Sequence, residues 1–234
     1  MIVYGRNAVH EALRGPRSVR RVWATKSAAR GEPWLTDART ASGDELTELC
    51  GSPDHQGVCA DVEEYRYAEP ASLLTAGDAI VIALDEVQDP RNLGAVCRVA
   101  ECAGAAGVVI PERRSAEVTP VVCKASAGAV EHLPVARVRN LADWLRDAKD
   151  TGAWVYGASA TDAVPYDRPD YRGKVVAVFG SEGRGLRPRV REMCDELVAL
   201  PLLGKLDSLN VSSAASAVVY GILHFRRHSV DNAP

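Results

Sequence analysis

From residue 79 onward, short apolar runs alternate with longer segments of helical periodicity, and this alternation limits the possible folds more than any other feature. AIVIAL (79–84), GVVI (107–110), AWVYGAS (153–159), KVVAVFG (174–180) and ELVALPL (196–202) read as strands. Helical patterns lie between and after them, in NLGAVCRVAECAG and near 118–128, 140–150, 187–194 and 211–227. Strands that are apolar throughout suit burial on both faces, and their alternation with helices implies a parallel sheet with helices on both sides. The expected class is α/β.

The first third is organised differently. A helix is expected around 6–14, a strand near 19–25, a helix near 43–50 and a strand near 57–62, which makes a small α/β unit. The stretch EEYRYAEPASLLTAG mixes charge, aromatics, Pro and Gly without periodicity and suits a linker or covering arm. A domain boundary is expected near residue 76. Charge is polarised within this third. Residues 1–40 carry Arg6, Arg14, Arg17, Arg20, Arg21, Lys26, Arg30 and Arg39 against three acids, whereas 41–76 carry eight acids against Arg66 alone. One face of the unit is therefore expected to meet phosphate and another to avoid it.

Several classes are disfavoured. The longest apolar runs fall well short of the roughly 20 residues that span a bilayer, and the N-terminus lacks the pattern of a secretory signal. A cytoplasmic protein without a membrane segment is expected. A formal net charge of −3 argues against a protein that coats nucleic acid non-specifically. Cys50, Cys59, Cys97, Cys102, Cys123 and Cys194 are scattered, without CxxC or a His at zinc-finger spacing. They read as reduced core thiols, and no metal site is expected.

In open α/β sheets, ligands sit beyond the C-terminal ends of the strands, so the residues just after each apolar run carry the most information. Three places stand out. In DEVQDPRNLGAVCR, Asp89-Pro90 makes a turn, Asn92 reads as an N-cap, and Arg98 lies nearly two helical turns further on. A capped helix with a surface arginine explains this segment equally well. In FGSEGRG, Gly180, Gly183 and Gly185 permit positive φ and close approach of a ligand, with Glu182 among them. The segment is neither a dinucleotide fingerprint nor a phosphate-cradling P-loop, and a solvated turn is the plain alternative. In ALPLLGKLDSLNVSSAAS, Ser208 or Asn210 caps a helix of small residues suited to close packing, in the chain or across a dimer. An ordinary capped core helix is the alternative here.

Taken together and in order, DPRNLGAVCR, FGSEGRG and LDSLNVSSAAS resemble the three signature motifs of the SpoU/TrmH branch of the SPOUT RNA methyltransferases. YGRNAVHEAL, HQGV and RRSAEVTPVVCKASAGAVEHLPVARVRNL extend the resemblance over nearly the whole chain, which is most similar to bacterial 23S rRNA guanosine 2′-O-methyltransferases. The resemblance implies a deep trefoil knot in a parallel-sheet catalytic domain at 77–228, preceded by a small ribosomal-protein-like RNA-binding domain at 1–65 and a linker at 66–76, with a tail at 229–234. It places the family's catalytic set on Asn92, Arg98, Glu182, Ser208 and Asn210. It places a bent S-adenosyl-L-methionine, the methyl donor, on loops containing Gly180, Gly183, Leu200, Leu202 and Leu209. Arg91 departs from the family pattern, where His is frequent.

The implied reaction is attack of a ribose 2′-hydroxyl on the sulfonium methyl, with no metal and with positioning as the main requirement. The resemblance also implies a homodimer through catalytic-domain helices, for which the final helix with Ile222, Leu223 and Phe225 is the expected element. 23S rRNA is favoured over tRNA because simple tRNA-specific relatives usually lack the N-terminal unit; a resistance role stays open. Two other classes remain. A catalytically idle RNA-binding module is disfavoured by the intact Asn92, Arg98, Glu182 and Asn210, and a nucleotide-dependent oxidoreductase by the missing dinucleotide fingerprint.

Overall fold

The computed structural model describes residues 1–231. The first unit contains β1 (Ile2–Tyr4), α1 (Arg6–Arg14), β2 (Val19–Ala24), α2 (Lys26–Gly31), β3 (Arg39–Thr40), α3 (Gly43–Cys50) and β4 (Val58–Val62). Its sheet has the order β1-β4-β2-β3, with β4 antiparallel to both β1 and β2 and with β3 parallel to β2. The start of α3 is set by a capping box, in which Ser42 accepts from the Glu45 N–H and Glu45 accepts from the Ser42 N–H.

The larger domain follows as β5 (Ile80–Asp85), α4 (Pro90–Cys102), β6 (Gly107–Pro111), α5 (Pro120–Ala125), β7 (Val135–Val138), α6 (Leu141–Asp150), β8 (Trp154–Ala158), β9 (Val164–Pro165), β10 (Val175–Gly180), α7 (Pro188–Met193), β11 (Glu196–Ala199) and α8 (Val211–Asp231). The strands pair in the order β7-β6-β5-β10-β8-β11-β9, all in parallel. Along β5, Ile80, Ile82 and Leu84 pack with Leu93, Val96, Val122 and Val218 of α4, α5 and α8. The alternate residues Val81 and Ala83 pack on the other face with Leu141, Leu145 and Val190 of α6 and α7. The period-2 geometry of a strand thus divides a continuous apolar run between two cores.

Five elements escape the periodicity reading: β1, β3, β7, β9 and α2 have two to six residues each, too few to display a period. Asn92 is not the cap of α4. Asp89 holds that position, accepting from the Arg91 N–H at 2.8 Å, with Pro90 in the first turn, so Asn92 falls inside the helix and is buried. Gly94 marks the crossing of α4 and α5, where a Cβ would lie 2.5 Å from that of Ala125. The thiols are only partly core: Cys59, Cys97 and Cys123 are buried, Cys50 and Cys194 half-buried, and Cys102 exposed. Burial pushes Cys59, Cys97, Cys123 and Cys194 up to about 12, so these four stay protonated and unreactive. α8 reaches Asp231; of the expected tail 229–234, residues 232–234 lie outside the described residues.

The two units share a core. Val3, Val9 and Ala12 lie in the same apolar cluster as Leu93, Val96, Val122 and Val130. The segment expected as a linker works as a covering arm: Leu73 and Leu74 are buried, and Tyr67 Oη accepts from the Val118 N–H at 2.9 Å. At the centre of the seam, Arg17 donates from Nε to Glu131 at 2.8 Å, with a second contact from Nη2, and from Nη1 to the Glu63 carbonyl at 2.8 Å. Burial alone would lower the Arg17 pKa, but the hydrogen bond and charge of Glu131 raise it above its usual value. Of the basic residues expected to face phosphate, Arg6, Arg14, Arg17 and Arg20 pair instead with Glu32, Glu11, Glu131 and Asp61.

After β10 the chain turns back at once. The Gly185 N–H donates to the Ser181 carbonyl at 3.0 Å, and a Cβ on Gly180 would sit 2.1 Å from the Gly185 carbonyl carbon. The next residues are fastened by Asp85, which is fully buried and accepts from the Arg187 N–H at 2.8 Å and from Arg187 Nε at 2.7 Å.

Two outcomes follow from this packing. Glu131→Ala strands the Arg17 charge and should cost about 3–5 kcal/mol in urea unfolding, whereas Arg17→Met combined with Glu131→Leu should recover most of the loss. Gly180→Ala forces the 181–186 loop off the strand end, so trypsin should cleave after Arg184 several-fold faster than in the parent protein while the rest of the chain resists.

Candidate active site

The loops beyond β8, β10 and β11 surround a cavity of about 710 Å³ with the opening of α8 on its edge. Gly180, Glu182, Gly183, Leu200, Leu202, Ser208, Leu209 and Asn210, eight of the ten residues singled out from the sequence, line it together. Its apolar walls include Phe179, Leu186, Val198 and Val218. The volume falls within the roughly 300–1,000 Å³ of small-molecule sites. The glycines serve two purposes. Gly183 and Gly185 take φ of 79° and 66°, which disfavours a side chain there, whereas Gly180 is needed for space.

Three polar side chains from distant parts of the sequence meet beside this cavity. Asn92 Nδ2 donates to Glu182 Oε1 at 2.7 Å, and Asn210 Nδ2 donates to the same oxygen at 2.9 Å and to Asn92 Oδ1 at 3.0 Å. Asn210 Oδ1 accepts from the Ser212 N–H at 2.9 Å and from Ser212 Oγ at 2.7 Å, which makes Asn210 the cap at the start of α8. Each amide both donates and accepts, a role that no carboxylate of the same shape fills. The network fixes one oxygen of Glu182 against α4 and α8, and among the described residues nothing donates to the other.

The remaining two predicted residues behave differently. Ser208 is exposed, and its hydroxyl reaches only Asp207 at 3.4 Å. Arg98 is exposed, stands outside the glycine-walled cavity, and its side chain has no hydrogen bond or ion pair with any described residue. Six residues of helix carry it about 9 Å along and about 120° around from Asn92, to the solvent side of α4. Of the residues named at the end of the expected interface helix, Leu223 and Phe225 are half-buried and Ile222 is buried. Ile222 is 0% exposed, and Phe225 packs edge-on against Tyr171 with ring centres 5.8 Å apart. The exposed row of that helix is Ser213, Ala217, Tyr220 and His224.

Sequence reasoning missed the wall formed by Ser159, Ala160 and Thr161, although they lie at and just beyond the end of a recognised strand. It also missed Asp85 and Arg187, because a single buried carboxylate closing a strand has no periodic signal. Glu86, next to Asp85, takes a φ of 58° and contacts both Arg114 and Arg187 at 3.4 Å. Among the described residues, no group of three or more His, Cys, Asp or Glu side chains is placed to hold a metal ion.

Comparison with known proteins identifies the family. The model of the SpoU rRNA Methylase family matches residues 79–220, and the model described as RNA 2′-O ribose methyltransferase substrate binding matches residues 2–68. The putative TrmH family tRNA/rRNA methyltransferase YacO of Bacillus subtilis is 38% identical over 238 residues, covering 96% of this chain and 95% of its own. An uncharacterized tRNA/rRNA methyltransferase of Synechocystis is 38% identical over 98% of this chain, which spans 63% of that relative's length. Among solved structures, the SpoU methyltransferase AviRb of Streptomyces viridochromogenes, in complex with the cofactor AdoMet, superposes with a TM-score of 0.81 over 97% of this chain and 90% of its own, at 24% identity. That likeness carries the fold: a parallel-sheet SpoU methyltransferase domain behind a small N-terminal unit. By sequence match over most of its length, the chain belongs to the SpoU rRNA methylase family and is an RNA methyltransferase of the SpoU/TrmH type.

Proposed function

We propose that this protein transfers a methyl group from S-adenosyl-L-methionine to a ribose 2′-hydroxyl of RNA, with a guanosine of 23S rRNA as the target. The observation that carries the reading is the convergence of Asn92, Glu182 and Asn210 at the mouth of a glycine-walled cavity. The cavity suits the methyl donor on its own features: apolar walls for an adenine and an aliphatic chain, turns with exposed backbone groups at 183–185, and a carboxylate beside the place for a cation. Gly180, Gly183, Leu200, Leu202 and Leu209 would hold the cofactor, which supplies an activated methyl on sulfur when bound.

The chain's own residues then divide the work. Asn92 and Asn210 lock Glu182, which holds the loop at one distance from the substrate. Ser208, on an exposed turn of the cavity rim, is assigned to the geometry of the 205–210 loop. Arg98 engages the 2′-hydroxyl or its adjoining phosphate and stabilises negative charge that develops on the ribose oxygen. A guanidinium is ordinarily always charged, so this role is electrostatic and does not make it the proton acceptor. Because Arg98 points away from the Asn92–Glu182–Asn210 network of its own protomer, we assign it to the site of the partner in a homodimer. The exposed row Ser213, Ala217, Tyr220 and His224 of α8 is the interface surface, in place of the buried Ile222.

The N-terminal unit, residues 1–65, is assigned to RNA binding, which favours rRNA over the tRNA of enzymes built without it. The knot is supported by the chain path. The 180–186 loop leaves the central strand β10, the chain reaches β11 beyond β8, and α8 then returns to pack against α4 and β10. Of the basic residues in the first unit, Arg21, Lys26, Arg30 and Arg39 form no ion pair among the described residues and are available to RNA. A cytoplasmic location accords with the substrate.

Arg98→Ala should abolish tritiated methyl transfer to RNA while leaving cofactor affinity, read by calorimetry, within about twofold. Loss of cofactor binding would overturn its assignment, and a monomer by light scattering at micromolar concentration would remove the role in trans. Asn92→Asp sets a second carboxylate against Glu182 and should lower kcat by at least about tenfold. Asn92→Gln, which keeps both donor and acceptor, should retain more activity. Equal losses in the two variants would mean that packing, not the amide, matters at this position.

A further inference from the structure

A second cleft, of about 1,160 Å³, opens beyond the C-terminal ends of β5, β6 and β7, against α6 and α7. Six arginines line it: Arg113, Arg114, Arg137, Arg139, Arg187 and Arg189. Three are spoken for within the fold: Arg187 by Asp85 and Glu86, Arg114 by Glu86, and Arg137 by Glu117. The other three, Arg113, Arg139 and Arg189, are exposed and have no ion pair or hydrogen bond among the described residues. They come from three separate places: the loop after β6, the loop after β7 and the start of α7. Of the acids of the cleft, Glu86 contacts Arg114 and Arg187, Asp143 and Asp147 share the single charge of Arg146, and Glu69 adds one more, so the three free arginines outnumber the acids left without a full partner.

The cleft is linked to the candidate active site through shared wall residues. Glu86 lines both the cleft and a smaller cavity of about 280 Å³ that also contains Asn92, Glu182 and Arg184. Glu182 and Arg184 in turn line the glycine-walled cavity. A polyanion lying in the cleft would therefore be led past Glu86 to the place where the methyl group is transferred. Guanidinium forks on separate supports match a row of phosphates better than a compact anion, because each can turn to its own phosphate.

We propose that Arg113, Arg139 and Arg189 form a phosphate track that holds the RNA backbone flanking the target nucleotide and feeds it to the active site. This rests on the RNA-methylation reading above and adds to it a substrate-binding surface on the catalytic domain, separate from the N-terminal unit. The track positions RNA and takes no part in the chemical step.

The test uses an unmodified 23S rRNA transcript and the full-length protein with Arg113, Arg139 and Arg189 all changed to Gln, alongside a triple Lys variant. Binding is measured by filter retention across a KCl series, with methyl-transfer kinetics in parallel and a thermal melt to verify folding. Each lost phosphate contact should lower the slope of log K against log salt by about 0.7–0.9, so the Gln triple should lose about 2 to 3 in slope. Its kcat/KM should fall at least tenfold with the loss carried by KM, at unchanged cofactor affinity, and the Lys triple should regain most of the slope. Unchanged slope and KM in a Gln triple that melts like the parent would overturn the track while leaving methylation standing. A parent protein that binds the transcript with the predicted slope difference but methylates no RNA would keep the track and remove the methyltransferase reading. A fall in kcat alone would place these arginines in the chemical step and so overturn the proposal.

Discussion

A carboxylate sealed from water has to be neutralised where it stands, and the candidate active site hangs on one such group. Asp85 ends the central strand β5 with no exposure and takes two hydrogen bonds from Arg187, one from its backbone and one from its guanidinium. Arg187 is also the residue at which the chain leaves the loop following the neighbouring strand β10. The pair therefore ties down both ends of a short excursion: Gly180 beside Asp85 at the strand end, and Arg187 at the loop exit. Within that closed segment Gly180 must lack a side chain, and Glu182 is left projecting toward α4 and α8. The location of the catalytic candidates is thus a consequence of a buried charge one strand away.

The same logic joins the two units. Arg17 and Glu131 are both buried, they belong to different units, and neither is tolerable alone. Together with the shared apolar cluster they turn a substrate-binding unit and a catalytic domain into one body at this seam. The seam thus fixes the position of the first unit against the second. Basic residues that look from the sequence like part of a nucleic-acid face, Arg17 above all, are partly consumed in building that seam.

Legibility from sequence follows the length of the repeating signal. Apolar runs such as AIVIAL and KVVAVFG reveal their strands, and the positions just after them reveal Gly180, Glu182 and Asn210, because a sheet directs its ligands to strand ends. Two-residue strands such as β3 and β9 carry no period to read. Asn92 stands out in the sequence for its capping chemistry, yet it does not cap. Asp89 and Pro90 together are the better start for a helix, which moves Asn92 to an interior position where its amide serves Glu182 and not the helix end. Ile222 and Phe225 suggest an outer face of α8 when only their composition is considered, yet a helix returning over the sheet has to bury one stripe, and these residues form it. Asp85 and Arg187 stay invisible, since their pairing spans 102 residues and depends wholly on strand order.

The geometry also separates two kinds of polar residue around the candidate site. Asn92, Glu182 and Asn210 satisfy one another and are held in place by α4, α8 and the loop after β10. Their hydrogen-bonding capacity is largely spent within the protein, which suits parts that set a shape. Arg98, Arg113, Arg139 and Arg189 are unpaired among the described residues and cost little to keep that way in water. A guanidinium left free on the surface can be neutralised by a phosphate and can donate hydrogen bonds to a hydroxyl oxygen. A transferase that adds little chemistry of its own needs both sets, a rigid one to define where the methyl sits and a free one to bring the hydroxyl to it.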